Sequence, residues 1–353
     1  MTEKRDLSEP LSDEMVTIED KLNIFSQFVA KQTNEQRGSL TDQWAWRYVG
    51  GQSDFHILVT VMIHGDEVGP LDGLLDVMDA LESNKLTYDG VITCVVGNPE
   101  AGRIGQRFVD VDMNRIFSRD AWSATTDQPI PIEVKRAEQL MDYIDDCDLL
   151  IDFHQTIQDS VQAFYITPWS SQAWRWMRLM GGAKVWVTRH PERGGGGLKC
   201  GDEYARQQGK PAIALELGSL GFTPKSRSGV WKSLSRALKA INSIHRGEAS
   251  LEELAEAERE LTFYETSYRA RFDDPKMYLR DGVINFAEVE AGERLSAQND
   301  QVPELIAPLS GSILFPKYPP RDEIGVALEP RPSEIYRIIT PLEGHPLDLW
   351  GER

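Results

Sequence analysis

The chain has no run of eighteen or more apolar residues, so a membrane-spanning helix is not expected. Its first ten residues, Met1-Thr-Glu-Lys-Arg-Asp-Leu-Ser-Glu-Pro10, hold no apolar core and several charges, which speaks against a secretory leader and for the cytoplasm. Cysteine is scarce. Cys94, Cys147 and Cys200 are an odd number without a CxxC pair, which excludes a disulfide framework and points to reduced, structural thiols. Positive charge is short as well: 38 Lys and Arg stand against 56 Asp and Glu, a net charge of −18. No nucleic-acid partner and no membrane partner are expected of so acidic a chain. An anionic substrate would need basic residues gathered locally at its site. Histidine is rare too, at six.

What is present is an ordinary globular composition, 41% hydrophobic over 353 residues, enough for a large catalytic core and one smaller domain. Residues 1–45 read as a polar, acidic lead with one amphipathic helix at Ile18–Lys31. Apolar runs at Phe55–Ile63, Val91–Val96, Leu149–Ile151 with Phe153, and Ala212–Leu217 suit buried strands. Helical segments at Pro70–Ser83, Ile132–Asp146 and Val230–His245 alternate with them. The pattern predicts an α/β domain over 46–260 with a mostly parallel or mixed central sheet flanked by helices. Arg246–Glu260 is charged and helix-forming. Short strands expected at Phe263–Phe272, Val283–Val289, Ile313–Pro316, Val326–Leu328 and Ile335–Ile339 make 261–353 a smaller C-terminal β-rich domain. Gly194–Gly197 reads as a mobile loop, since no P-loop Lys-Ser/Thr follows it.

The chemistry is carried by the strand ends. Each of the four apolar runs in 46–260 closes on polar residues: His64, then Gly97-Asn98, then Asp152-Phe-His154, then Glu216. In open α/β sheets that edge is where ligands bind. His64-Gly-Asp-Glu67 sits at a strand-to-helix junction and offers an imidazole and a carboxylate to one metal ion. His154 is the third ligand expected, and an N/O donor set of three suits catalytic zinc, Zn2+, one per subunit. Asp66 is assigned to turn chemistry. His56, His190, His245 and His345 have no carboxylate at ligand spacing. Glu216 closes an apolar run where an unpaired carboxylate is costly, so it is the expected general base. Arg103, Arg107 and Arg115 fall within 13 residues of an acidic chain. Arg107 and Arg115, with Asn114, are expected to bind substrate carboxylates, because guanidinium forks match them bidentately.

Taken together, His64-Gly-Asp-Glu67, Asn98-Pro99, Arg107, Asp112-Met-Asn114-Arg115-Ile-Phe117, Asp152-Phe-His154-Gln-Thr156 and Leu215-Glu-Leu-Gly218 resemble the succinylglutamate desuccinylase and aspartoacylase family of zinc hydrolases, relatives of the zinc carboxypeptidases. The fit in order and spacing covers about 45–220. The resemblance implies a zinc-carboxypeptidase-like domain with zinc on His64, Glu67 and His154. It implies Glu216 as general acid and base, and Arg107, Asn114 and Arg115 as substrate-binding residues. It also implies hydrolysis of a small anionic N-acyl amino acid to an amino acid and a dicarboxylate. Desuccinylases tend to carry Ala-Ile-Arg-Gly-Ser after the second histidine, whereas this chain reads Gln155-Thr-Ile-Gln-Asp-Ser160, nearer the aspartoacylase side. The loop arginine that often precedes the glutamate strand has Arg193 or Lys199 as stand-ins. An aspartoacylase-like deacylase, a carboxypeptidase-like peptidase trimming acidic residues, and a zinc-binding protein without turnover are the competing readings. Homo-oligomerisation is left open.

Overall fold

The computed structural model describes residues 17–38, 40–120, 129–193, 199–297, 302–329 and 331–352. Helix α1 (Ile18–Lys31) begins on a capping box in which the Thr17 hydroxyl accepts from Asp20 N and the Asp20 carboxylate accepts from Thr17 N. Leu22, Phe25, Phe28 and Val29 form its buried stripe and join Trp44 and Trp46 in the main core. The short α2 (Asn34–Arg37) leads to β1 (Ala45–Val49). Alternation follows: β2 (His56–Val61), α3 (Gly69–Glu82), β3 (Val91–Val96), α4 (Pro99–Arg103), α5 (Ile132–Asp146), β4 (Leu149–Thr156) and β5 (Phe164–Ile166). Then come α6 (Ser171–Met180), β6 (Val185–Val187), α7 (Gly201–Gln207), β7 (Ala212–Ser219), α8 (Pro224–His245) and α9 (Leu251–Glu256). The chain closes with β8 (Thr262–Arg271), β9 (Glu288–Val289), β10 (Gly311–Leu314), β11 (Glu334–Pro341) and α10 (Pro346–Trp350).

The described strands form one mixed sheet in the order β1-β3-β2-β4-β7-β5-β6-β8-β11-β10-β9. β3, β2, β4 and β7 run parallel, and β1 caps that half antiparallel to β3. Strand alternation sorts the two faces. Ile57, Val59, Ile151, Phe153, Ile213 and Leu215 pack into the core shared with α3, α6 and α8. Leu58, Leu150 and Ala212 point to the opposite face, under Ala137, Leu140, Met141 and Ile144 of α5 and Tyr204 and Ala205 of α7. Asp152 is two residues from Leu150 and His154 four, so both belong to the α5/α7 face. Hydrogen bonding does not stop at residue 261, because β6 pairs in parallel with β8. Beyond it, a separate apolar cluster gathers Phe272, Leu279, Leu295, Ile313, Ile335 and Ile338.

Differences from the sequence reading have local causes. β1, β5 and β6 were not anticipated: β5 and β6 are three residues each, too short to show a period, and Arg47 interrupts β1. Of Val283–Val289 only Glu288–Val289 is a strand. Phe286 just before it has φ 65°, which takes the backbone out of extension. Val326–Leu328 gives no strand, only a single bridge between Arg321 and Ala327. Gly194–Gly197 lies outside the described residues, as does the Arg193 side chain. No described helix is long and apolar enough to cross a membrane, and all three cysteines are buried and unpaired.

Candidate metal centre

β2 has β3 on one side and β4 on the other: the chain passes from β2 to β3 and then back across β2 to β4, so the winding direction reverses there. Such a switch point opens a crevice at the carboxyl ends of the strands. The chain leaves β2 through Met62, held at φ 57° while its carbonyl accepts from Asn98 N at 2.7 Å. A non-glycine residue in that region is strained, and it turns the next residues out of the sheet towards the crevice. Gly65 follows, where a Cβ would lie 2.4 Å from Gly102 N and 2.5 Å from Ala101, so no larger residue fits against α4. His64 and Glu67 are thereby placed opposite the end of β4.

His64, Glu67 and His154 are all buried, and one ligand atom from each lies within 4.8 Å of the others, so the cluster could hold a metal ion. Glu67 is the hub. Its Oε1 lies 2.6 Å from His64 Nδ1 and its Oε2 2.7 Å from His154 Nδ1. Oε2 also accepts from Gln155 N at 3.1 Å. Both Nδ1 atoms thus converge on one carboxylate while both Nε2 atoms face outward to other groups. His154 Nε2 is 2.7 Å from Asp152 Oδ2, and Asp152 Oδ1 accepts from the Thr60 hydroxyl at 2.7 Å. His64 Nε2 is 2.6 Å from Arg107 Nη2 and 3.4 Å from Asp112 Oδ1. Imidazoles backed by carboxylates on the far nitrogen are the arrangement found behind metal-ligating histidines. Asp66 lies outside the cluster.

The charges follow the geometry. Burial pushes the Glu67 carboxyl up, but His64 and His154 outweigh it and hold it well below the usual range. Burial pushes the His154 imidazole down, and Asp152 and Glu67 reverse that. Glu216 lies beside His154 in the parallel register of β4 and β7, so both side chains share the α5/α7 face. It is 9% exposed, and its Oε2 has no hydrogen-bond partner. Burial raises its pKa to about 7, with His154 pulling down and Glu67 pushing up.

The loop between α4 and α5 is clamped by the buried Glu133, whose oxygens accept from Asn98 Nδ2, Val109 N, Asp110 N and Val111 N. Arg107 O accepts from Gly65 N at 2.9 Å, which ties the loop to the cluster. Arg107 is brought into the crevice, 3.5 Å from Glu67 Oε1 and 3.2 Å from Asp112 Oδ2. Asn114 is half-buried, and its Oδ1 accepts from Gly201 N at 3.1 Å. Arg115 is exposed at the rim, with Nη1 on the Asn114 carbonyl. Arg103 is turned away onto Glu19 at 3.0 Å and over the Trp44 ring. Lys199, a suggested stand-in for the loop arginine, gives its carbonyl to Phe117 N. Asp152 has no role assigned from the sequence, yet it backs His154. The i, i+2 spacing to His154 in a strand was the available signal, since such residues share a face.

The family model for the succinylglutamate desuccinylase/aspartoacylase catalytic domain matches residues 55–242. The chain belongs to this family. A succinylglutamate desuccinylase of Pseudomonas paraeruginosa is 27% identical over 274 residues, 74% of this chain and 79% of that protein. An N-acyl-aromatic-L-amino acid amidohydrolase of Danio rerio is 29% identical over 140 residues, 37% of this chain and 43% of that protein. Among solved structures, the succinylglutamate desuccinylase of Chromobacterium violaceum superposes with a TM-score of 0.63 at 20% identity, over 92% of this chain and 98% of that one. Murine aminoacylase 3 gives 0.59 at 16% identity, over 82% and 96%. For this family member, those likenesses establish a mixed α/β fold.

Proposed function

We propose that this chain is a cytoplasmic zinc amidohydrolase cutting the amide bond of an N-acyl amino acid, with a succinylglutamate-like substrate favoured. The single observation that carries the reading is the convergence of two imidazole Nδ1 atoms on Glu67, with the raised, unpaired Glu216 carboxylate beside His154. The donor set fits zinc: two imidazole nitrogens and a carboxylate, each steadied from behind, in a buried crevice. His64, Glu67 and His154 would hold the ion. When bound, zinc supplies Lewis-acid chemistry towards an acyl carbonyl and a water molecule.

The remaining work falls to side chains of the chain. Glu216, with a pKa near 7, takes a proton from the attacking water. It then delivers that proton to the departing amide nitrogen, so one carboxylate serves both steps. Arg107, Asn114 and Arg115 bind substrate carboxylates, Arg107 nearest the cluster and Arg115 at the rim. The 46–260 portion is read as the carboxypeptidase-like catalytic domain and 261–353 as a β-rich domain narrowing the entrance, which favours small substrates over peptides.

A panel of N-succinyl, N-acetyl and N-formyl amino acids, assayed with zinc-reconstituted protein, tests this. Release of free amino acid, fastest from the N-succinyl compound, is the expected result. Zinc-loaded protein that cleaves none of them but removes a C-terminal glutamate from a peptide would replace this reading with the peptidase one.

A further inference from the structure

Lys317 lies in the segment after β10, more than a hundred residues beyond Glu216, and a stack of aromatic rings links the two. Glu216 is directly opposite Phe164 in the antiparallel pairing of β7 and β5, so the two side chains share a face. The Phe164 ring packs on Phe315 at 5.9 Å and on Phe286 at 5.1 Å. The Phe315 ring in turn carries the Lys317 ammonium at 5.4 Å and the Arg337 guanidinium at 5.4 Å. Phe315 is held at φ 51°, a strained value for a bulky residue.

The strain is fixed by Asn285, which is buried. Its Oδ1 accepts from Phe315 N at 2.7 Å, and its Nδ2 donates to the carbonyls of Gln158 at 3.0 Å and Asp159 at 3.1 Å. Asn285 therefore bolts the β10 turn to the loop that leaves β4, four and five residues past His154. This clasp sets where Lys317 stands.

The position is unusual electrostatically. Among the described residues the Lys317 ammonium makes no hydrogen bond and no ion pair. Arg337 has Glu334 at 2.6 Å, but Lys317 has no carboxylate of its own. Burial pushes it down to about 8, Arg107 and Arg337 add to the effect, and Glu334 and Glu216 pull the other way. A half-buried ammonium with no carboxylate in direct contact, and other cations acting on it, is a place where a ligand carboxylate gains most.

We propose that Lys317 is a specificity residue that seats a substrate carboxylate lying outside the His64–Glu67–His154 cluster. This rests on the hydrolase reading above and adds to it a selecting group from the C-terminal strands. The carboxylate can be that of the acyl chain or that of the amino-acid side chain, and the same experiment separates them.

Steady-state kinetics are measured on wild type, Lys317→Met and Lys317→Arg with three substrates: N-succinylglutamate, N-butyrylglutamate and N-succinylnorvaline. Lys317→Met is expected to lose about 10-fold to 100-fold in kcat/KM on N-succinylglutamate, chiefly through KM. It should leave one of the two truncated substrates nearly unchanged, and that compound names the carboxylate Lys317 seats. Lys317→Arg should restore part of the loss. An equal loss on all three substrates, which a structural role would give, or no loss on any, overturns the proposal. If wild type cleaves none of the three, the succinylglutamate-like reading of the substrate fails, and Lys317 is judged by calorimetry with free succinate and butyrate. Wild type should then prefer succinate and Lys317→Met should not; an unchanged preference overturns it.

Discussion

The two halves of the sheet treat charge in opposite ways. In the parallel half, ionisable groups are closed into a network: Asp152 backs His154, Asp112 and Arg107 face His64, and Glu67 joins the two imidazoles. Among the described residues two buried carboxylate oxygens there have no hydrogen-bond partner, Glu216 Oε2 and Asp66 Oδ1. On the far side, among β8, β10 and β11, one carboxylate is surrounded by several cations. Arg269 and Arg337 share Glu334, and Lys317 has none. In a chain of net charge −18, an excess of cations at one place is a local feature with a local purpose. The contrast teaches a division of labour: bond-breaking groups on the parallel strands, and part of the selection on strands that arrive much later in the chain.

The comparison breaks most sharply at Glu216. Glu216→Gln should lower kcat about 10²–10⁴-fold while metal content stays near one per chain; kinetics like those of wild type would remove it from the proton transfers. The same substitution should act on stability with a definite sign. The Glu216 carboxyl is raised from 4.5 to about 7 in the folded protein. Its folding contribution is therefore present below pH 4.5 and lost as pH rises through about 7, where burying the charge costs roughly 3 kcal/mol. Metal-free Glu216→Gln should melt above metal-free wild type at pH 8, with the gap closing towards pH 4. A gap independent of pH would show that the carboxyl is not titrating as described.

Asp152→Asn leaves the ligands in place but weakens the support of His154. A loss of about 10–100-fold in metal affinity is expected, read by competition with a chelator. Unchanged affinity would mean that the parallel-half network is not what steadies the site. The smallest effect is expected at the rim. Arg115→Leu should raise KM about 10-fold with kcat little changed, as fits loss of an exposed charge that touches substrate; an unaltered KM would make Arg115 a loop residue only.

The parallel half was legible in sequence because its signals are local. Buried parallel strands are continuous apolar runs, and polar residues at their ends stand out against them: His64, His154 and Glu216 were all found this way. His64 and Glu67 are three residues apart, and Asp152 and His154 two, so single-element geometry sufficed. Arg107 and Arg115 were visible as bases in an acidic chain, but not that Arg107 would enter the crevice and Arg115 stay outside. That difference is set by Glu133 and Gly65, which clamp the loop from elsewhere in the chain. Lys317 was not legible. It depends on the pairing of β6 with β8, on the Asn285 clasp and on a ring stack through Phe164 and Phe315, all of them contacts distant in sequence. A lysine closing the apolar run Ile313-Leu-Phe-Pro316 was the only hint. Two short strand expectations failed because a positive φ at Phe286 and the isolated Arg321–Ala327 bridge leave no room for a ladder.

The claim on which the rest depends is that the carboxyl edge of the parallel strands holds the metal. The most direct measurement is anomalous diffraction at the zinc edge from crystals of zinc-loaded protein. One peak about 2.0–2.2 Å from His64 Nδ1, His154 Nδ1 and a Glu67 oxygen is the predicted result. Zinc-loaded crystals with no peak among these three residues, or with the ion bound elsewhere, would contradict it.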